Sequence, residues 1–278
     1  MAVVALRQLF RLSGAVAPAV AARFAGFLWF RPPRKRPPAG EQSLLDRAQH
    51  LSLHHAGKRI AVYLWGQGPA VMLVHGWSGR GAQLGRFVEP LVAAGYRVVA
   101  FDAPAHGRSE GSSTTLPEMS GTILRLAADI HPVHAVIAHS FGVPTALLAL
   151  QQQRFAQRVV ALSAPATLDG IMTRFREMLG LSPRTVQILR GRLMRRFGED
   201  MWTRFSAEDM ARSMDLPALV IHDRDDRDIP WHDGEALARA WPRAQFLSTD
   251  GLGHRRILRD PAVIDRVVRF LGPEGSAS

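Results

Sequence analysis

The sequence predicts an α/β protein: a mostly parallel central sheet with helices on both faces and an inserted helical cap. Three observations carry that expectation. From about residue 50 onward, short apolar runs alternate with longer amphipathic ones. Those short runs are apolar at consecutive positions, so they belong to a sheet covered on both sides. One interval, 165–215, breaks the alternation with three helix-like stretches and no strand-like run. The 278 residues suit one large domain carrying such an insertion, able to bury a sizeable core without metal or disulfide staples.

Each element has its own signal. RIAVYLW (59–65) and AVMLVHG (70–76) read as neighbouring strands joined by the turn Gly66-Gln67-Gly68-Pro69. GAQLGRFVEPLVAAG (81–95) reads as a helix, with Leu84, Phe87, Val88 and Leu91 at 3–4 spacing and Gly95 as its stop. YRVVAFD is the next strand, LPEMSGTILRLAADI a helix, HAVIAHS a strand and GVPTALLALQQQ a helix. RVVALSAP is a strand before the insertion; PALVIHD and AQFLSTD follow it, with helices at about 232–241 and 260–271. GIMTRFREMLG, TVQILRGRLMRRF and EDMWTRF are the expected cap helices. The expected organisation is a basic, apolar segment with a proline-rich linker at 1–40, then a domain at 41–278. Its core is about 41–164 and 216–278 and its cap about 165–215.

Cysteine is absent, which excludes disulfides, thiolate catalysis and cysteine-ligated metal centres. The net charge of +11 raises nucleic-acid binding, but seven of those charges sit in residues 1–40, with no acid among them. That tail has no base-reading motif, so nucleic acid is not expected as a partner. The longest uncharged stretch there, Leu12 to Ala22, is eleven residues, well short of the roughly 20 a spanning helix needs. Phe24, Phe27, Trp29 and Phe30 precede RPPRKRPPAG. Aromatic rings beside cations suit a membrane interface. Three readings stand: a helix packed on the domain or a partner, a membrane-surface anchor, or a targeting signal. Pro32, Pro33, Pro37 and Pro38 make the following stretch stiff and extended. The expected location is the cytoplasm, either free or peripheral at a membrane surface.

In parallel sheets ligands bind at the carboxyl ends of the strands. VIAHSFGVP puts Ser140 at such an end, between a strand and a helix starting near Gly142. Alone, Ser140 fits an ordinary turn or N-cap as well as a nucleophile. A serine hydroxyl needs a base. His54 and His55 read as a polar turn, His131 and His134 as flanks of Pro132, and His222 as a core histidine. His254 lies in STDGLGHRRIL, a glycine-rich loop after the last strand. HDRDDRDIP offers Asp223, Asp225, Asp226 and Asp228 as the acid that orients it. An EF-hand is excluded because Arg227, Asp228 and Gly234 occupy positions that want Asp/Asn, Gly and Glu. The chain order is then serine, aspartate, histidine.

At this point the sequence resembles the α/β-hydrolase family from roughly 60 to 272. AHSFG resembles the nucleophile elbow, HGWSG the HG-x oxyanion loop, and FDAPAHGRSEG the D-x-P-G-H-G-x-S loop. DRDDRDIP resembles the acid loop ending in Pro230, and GLGH the terminal glycine-histidine motif. Ala138, Ala105 and Asp223 stand where the family usually has glycine. The resemblance implies a Ser140, Asp226, His254 triad and backbone oxyanion donors at Trp77 and Phe141. It implies support from His75, Gly76, Asp102 and His106, with no metal or organic cofactor. The expected substrate is a small carboxylic ester or related acyl compound. A thioesterase, a carbon–carbon bond hydrolase, or a catalytically silent module tethered by its basic N-terminus are the alternatives.

Overall fold

Val, Ile, Leu, Met and Ala fill the central strands, and this composition settles their place. The computed structural model describes residues 2–34 and 37–272. Its eight-stranded sheet comprises β1 (Gln49–His55), β2 (Lys58–Trp65), β3 (Ala70–Val74), β4 (Arg97–Phe101), β5 (Val133–His139), β6 (Arg158–Leu162), β7 (Ala218–Asp223) and β8 (Ala244–Thr249). The order is β1-β2-β4-β3-β5-β6-β7-β8. The β1–β2 and β2–β4 pairs are antiparallel and the rest parallel. Strand β3 is buried throughout. Ala70, Met72 and Val74 enter one core layer, and Val71 and Leu73 the other. This two-sided burial is why the run is continuously apolar.

The helices are α1 (Ala2–Val16), α2 (Pro18–Trp29), α3 (Ala39–Asp46), α4 (Val88–Ala93), α5 (Leu116–Ile130), α6 (Gly142–Gln152), α7 (Leu168–Leu179), α8 (Pro183–Phe197), α9 (Met201–Arg204), α10 (Ala207–Ala211), α11 (Trp231–Ala240), α12 (Gly253–Arg256) and α13 (Pro261–Leu271). Helices α5, α6, α10 and α11 contribute to one core layer, and α3, α4 and α13 to the other. Side-chain caps set several starts: Thr115 accepts from the Glu118 N–H, Thr167 from Gly170, Ser182 from Thr185 and Asp260 from Val263. The interval between β6 and β7 holds α7 to α10. The last of these lies against α6 and α11.

Three sequence expectations change. His54 and His55 are not in a turn. They end strand β1, opposite Arg59 and Lys58, and the turn is Ala56-Gly57. QHLSLHH carries no strand-like apolar run because its exposed edge position leaves it mostly polar. Residues 39–46 are helical. The stretch 81–95 is a 3-10 helix (Gly81–Phe87) followed by the short α4, because Gly81 and Gly85 weaken the helix and Pro90 cannot donate a backbone bond.

At the N-terminus the structure follows one of the three readings. α1 and α2 form a hairpin that packs on α7 and α8, burying Phe10, Ala21, Ala22 and Ala25. Trp29 meets Phe175 edge-on at 4.9 Å, and Phe30 meets Phe197 at 5.9 Å. Pro32 is buried, and Arg34 donates to the carbonyls of Ala105, Gly107, Ser109 and Gly111. The segment is therefore stitched to the domain, as in the packed-helix reading. Lys35 and Arg36 of its basic run lie outside the described residues. No described helix is long and apolar enough to cross a membrane.

Candidate active site

Ser140 follows the end of β5, and α6 begins two residues later. The turn between them is so tight that Ser140 adopts a left-handed backbone, φ +54°. That conformation costs a non-glycine residue on the order of 1 kcal/mol, which the surrounding packing must offset. The neighbours make the turn possible. A side chain at Gly142 would put its Cβ 2.6 Å from the Val74 carbonyl oxygen, and one at Gly76 would lie 2.8 Å from Ser140 Cβ. The Ser140 N–H is anchored on the Leu162 carbonyl at 2.9 Å.

Three residues separated by 86 and 28 positions meet at this edge. Ser140 Oγ lies 3.1 Å from His254 Nε2. His254 Nδ1–H donates to Asp226 Oδ2 at 2.8 Å, leaving Nε2 to accept the serine proton. Asp226 Oδ1 accepts from the N–H groups of Asp228 and Ile229, both at 2.9 Å. His222 Nε2–H donates to the Ile229 carbonyl at 3.1 Å and lies 3.4 Å from Asp226 Oδ2. Burial alone would raise the Asp226 pKa. Hydrogen bonding from His222 and His254, with the Ile229 N–H, outweighs it and holds the carboxyl well below the usual range. The group is a fixed anion beside an imidazole.

The other carboxylates of that loop have different duties. Asp223 accepts from the Thr249 hydroxyl (2.7 Å) and from the N–H groups of Asp225, Leu252 and Gly253. It fastens the acid loop to the loop carrying His254. Burial raises its pKa, but those bonds outweigh the effect and the net shift is downward. Asp225 accepts from the Gly251 N–H at 2.8 Å, and Asp228 lies 3.6 Å from an Arg255 nitrogen. Among the described residues no cluster of three or more His, Asp or Glu is arranged to hold a metal.

The supporting residues act through backbone. His75 Nδ1–H donates to the Gly76 carbonyl, and Nε2 accepts from the Ala103 N–H. His106 Nδ1–H donates to the Pro104 carbonyl, and Nε2 accepts from the Ser78 N–H. Burial pulls His75 down to about 4; burial and the neighbouring His75 pull His106 to about 3. Asp102 accepts from the Tyr63 hydroxyl and from the N–H groups of Gly81 and Arg108. These bonds tie the 75–81 loop to the 102–110 loop. Trp77 and Phe141 meet edge-on at 5.4 Å beside Ser140, and among the described residues their backbone N–H groups have no protein acceptor. Ala105 has φ +66°, which explains why glycine is usual there.

His139, which by its place beside Ser140 is a weaker candidate for the base than His254, has another part in the site. His139 is fully buried, and its Nε2–H donates to the His254 carbonyl at 2.9 Å, with the two rings 4.6 Å apart. Burial first, then the His254 charge, lowers it to about 3. It braces the histidine loop and cannot reach the serine proton. The only signal for this was its place beside the elbow.

A cavity of about 470 Å³ opens onto Ser140, Trp77 and Phe141. Its walls are mainly apolar: Leu168, Ile171 and Phe175 from α7, Phe197 from α8, and Leu28 and Trp29 from α2. Its two cations are engaged, Arg31 with Ser112 and Arg174 with Asp233.

Comparison with known proteins bears on the fold that carries these residues. Residues 71–267 match the Alpha/beta hydrolase family. A 2-hydroxy-6-oxononadienedioate/2-hydroxy-6-oxononatrienedioate hydrolase of Cupriavidus pinatubonensis is 29% identical, over 80% of this chain and 90% of that protein. An esterase structure from Pyrococcus furiosus superposes with TM-score 0.66 at 21% identity, over 86% of this chain and 98% of that one. An esterase from Rhodococcus sp. ECU1013 superposes with TM-score 0.61 at 17% identity, over 81% and 98%.

Proposed function

The chain belongs to the alpha/beta hydrolase family, and on that premise we propose that it is a serine hydrolase acting on a carboxylic ester with an apolar acyl group. The observation that carries this reading is the unbroken chain of hydrogen bonds from Asp226 through His254 to Ser140. Ser140 Oγ attacks the substrate carbonyl carbon while His254 Nε2 takes its proton. Asp226 holds the ring in the tautomer with hydrogen on Nδ1 and stabilises the imidazolium. The oxyanion accepts from the N–H groups of Trp77 and Phe141, each such donor being worth roughly 10²–10³ in rate. His254 then protonates the leaving alcohol, and an acyl-Ser140 ester remains. Water, deprotonated by His254, attacks that ester and releases the acid. Residues 165–215 act as the cap that closes the acyl cavity, and α1 and α2 complete its wall.

Hydrolysis of a carbon–carbon bond is the second reading, favoured by the name of the Cupriavidus pinatubonensis relative. The substrate in that name is a dicarboxylate, and its charges would need cations in the cavity. Arg174 is paired with Asp233, which leaves Arg31, bonded to Ser112 and stacked on Phe27, as the one cation there without a carboxylate, too few for two charges. The apolar wall favours an uncharged acyl chain instead.

A fluorophosphonate probe followed by peptide mapping tests the nucleophile, and a panel of p-nitrophenyl esters tests the bond. Labelling at Ser140 and turnover of medium-chain esters are expected. Labelling elsewhere, or turnover of dienedioates with none of esters, would overturn the respective part.

A further inference from the structure

Helices α1, α2 and α8 lie side by side and carry eight arginines with no Asp or Glu. Arg190 is paired with Asp169 and stacks on Trp202 at 3.7 Å. Among the described residues, Arg7, Arg11, Arg23, Arg184, Arg192 and Arg195 have no carboxylate partner. An acid-free layer of this kind repels itself unless anions are supplied from outside.

The same hairpin is apolar on the side facing water. Leu9, Leu12 and Val16 lie at i, i+3 and i+7 on α1, exposed by 54, 71 and 88%. Val20, Phe24 and Phe27 lie at i, i+4 and i+7 on α2, exposed by 65, 40 and 51%. Both spacings put the three side chains on one helix face. Phe24 stacks between Phe10 and Phe27 at 5.5 and 6.2 Å, which links the two helices into one ridge. Isolated exposed apolar residues are ordinary, but a contiguous ridge flanked by cations is an interaction surface.

Between α2 and α8 the ridge adjoins a cleft of about 370 Å³ lined by Arg23, Arg31, Arg192 and Arg196, with Phe27 and Phe30. The one acid there, Glu118, is held by Lys58 at 2.5 Å. The cleft shares Phe30, Arg31, Thr114 and Thr115 with the cavity that reaches Ser140.

We propose that this face docks on an anionic lipid bilayer, with the Leu9 to Phe27 ridge in the headgroup layer and the arginine cleft seating a lipid phosphate. Guanidinium groups bind phosphate oxygens in pairs, and each cation at an anionic surface strengthens binding about fivefold. The 15- and 12-residue helices are too short to span and lie in the interface plane. One consequence rests on the hydrolase reading: the acyl cavity then opens beside the bilayer, and its substrate is a membrane-dissolved acyl ester.

The test is co-sedimentation of the full chain with vesicles of phosphatidylcholine alone or mixed with phosphatidylglycerol. Binding is expected to the mixed vesicles only, weakening as salt rises. The R23Q/R192Q variant should bind about 25-fold more weakly, two charges at about fivefold each. The L12S/V16S variant should bind about tenfold more weakly or worse. It should keep its melting temperature and its turnover of a soluble short-chain ester. Equal binding to both vesicle types, no binding, or variants that bind like the parent would overturn the proposal. So would a dimer of the parent that L12S/V16S dissolves, since the face would then belong to a second copy. Vesicle binding is read without catalysis, so a failed Ser140 assignment leaves this result intact.

Discussion

At the carboxyl edge of the sheet Asp102, Asp223 and Asp226 accept hydrogen bonds from both side chains and backbone. In the α1, α2 and α8 layer above, the arginines other than Arg190 lack carboxylate partners among the described residues, and leucine and valine face water. The edge is over-determined: the left-handed Ser140, the close approach of Gly76 and Gly142, and buried neutral histidines leave one arrangement. The upper layer is held mainly by apolar packing, with a few polar ties such as Arg190 to Asp169 and Ser182 to the Gly14 carbonyl, and apolar packing tolerates substitution. The difference teaches a division of labour. On the proposed function, chemistry needs fixed distances and sits on buried strand ends, while the wall offered to an apolar acyl group comes from helices.

The largest effect that could break this division comes from Ser140→Ala. Turnover should fall roughly 10⁴–10⁶-fold with the unfolding midpoint unchanged. A loss below tenfold would take the chemistry away from this edge. Asp226→Asn follows, at roughly 10⁴-fold, because the ring loses its orienting anion. Asp225→Asn and Asp228→Asn should cost under tenfold, since both bond only at the loop surface. An equal loss at either would move the acid.

Stability against pH probes the edge independently of activity. His75, His106 and His139 are held neutral in the fold, at about 4, 3 and 3, whereas in the unfolded chain they titrate near 6.5. Below about 6.5 the unfolded state therefore binds more protons, and stability falls with pH until the folded values are reached. Between pH 7 and 5 each histidine should remove about 2 kcal/mol, read from urea unfolding at the two pH values. Asp226 works the other way: its stabilisation is present above the ordinary carboxylate value and lost only as pH falls through its lowered folded value. It adds nothing between 7 and 5. A flat profile there would show that the three histidines are not buried and neutral. The smallest effect belongs to the upper layer. Ile171→Trp fills part of the cavity and should lower the long-chain to short-chain ratio of kcat/KM about tenfold, leaving acetate esters unaffected. No change in that ratio would mean that the acyl chain lies elsewhere.

Much of the frame was legible in the chain. Strands such as AVMLV advertise burial on both faces, and the alternation of strands and helices gives the parallel sheet. Edge strand β1 was not legible, because a strand with one exposed face and polar residues carries no such run. The serine, the acid loop and the glycine-rich histidine loop were visible as local patterns. Among Asp223, Asp225, Asp226 and Asp228, composition left the choice open, and only the resemblance of DRDDRDIP to the family's acid loop, with Pro230 as its anchor, pointed to Asp226.

The sequence by itself determined the layer architecture and the order serine, aspartate, histidine, since both follow from local periodicity and turn residues. Tertiary structure decided the rest. It gave Asp223 the task of lacing two loops, although glycine is usual at that position. It brought His139 to the His254 carbonyl. It also folded a basic apolar tail into the wall of the cavity. The reason is physical: hydrogen-bond partners 26 to 115 residues apart in the chain are chosen by where strand ends converge. No local propensity encodes that convergence.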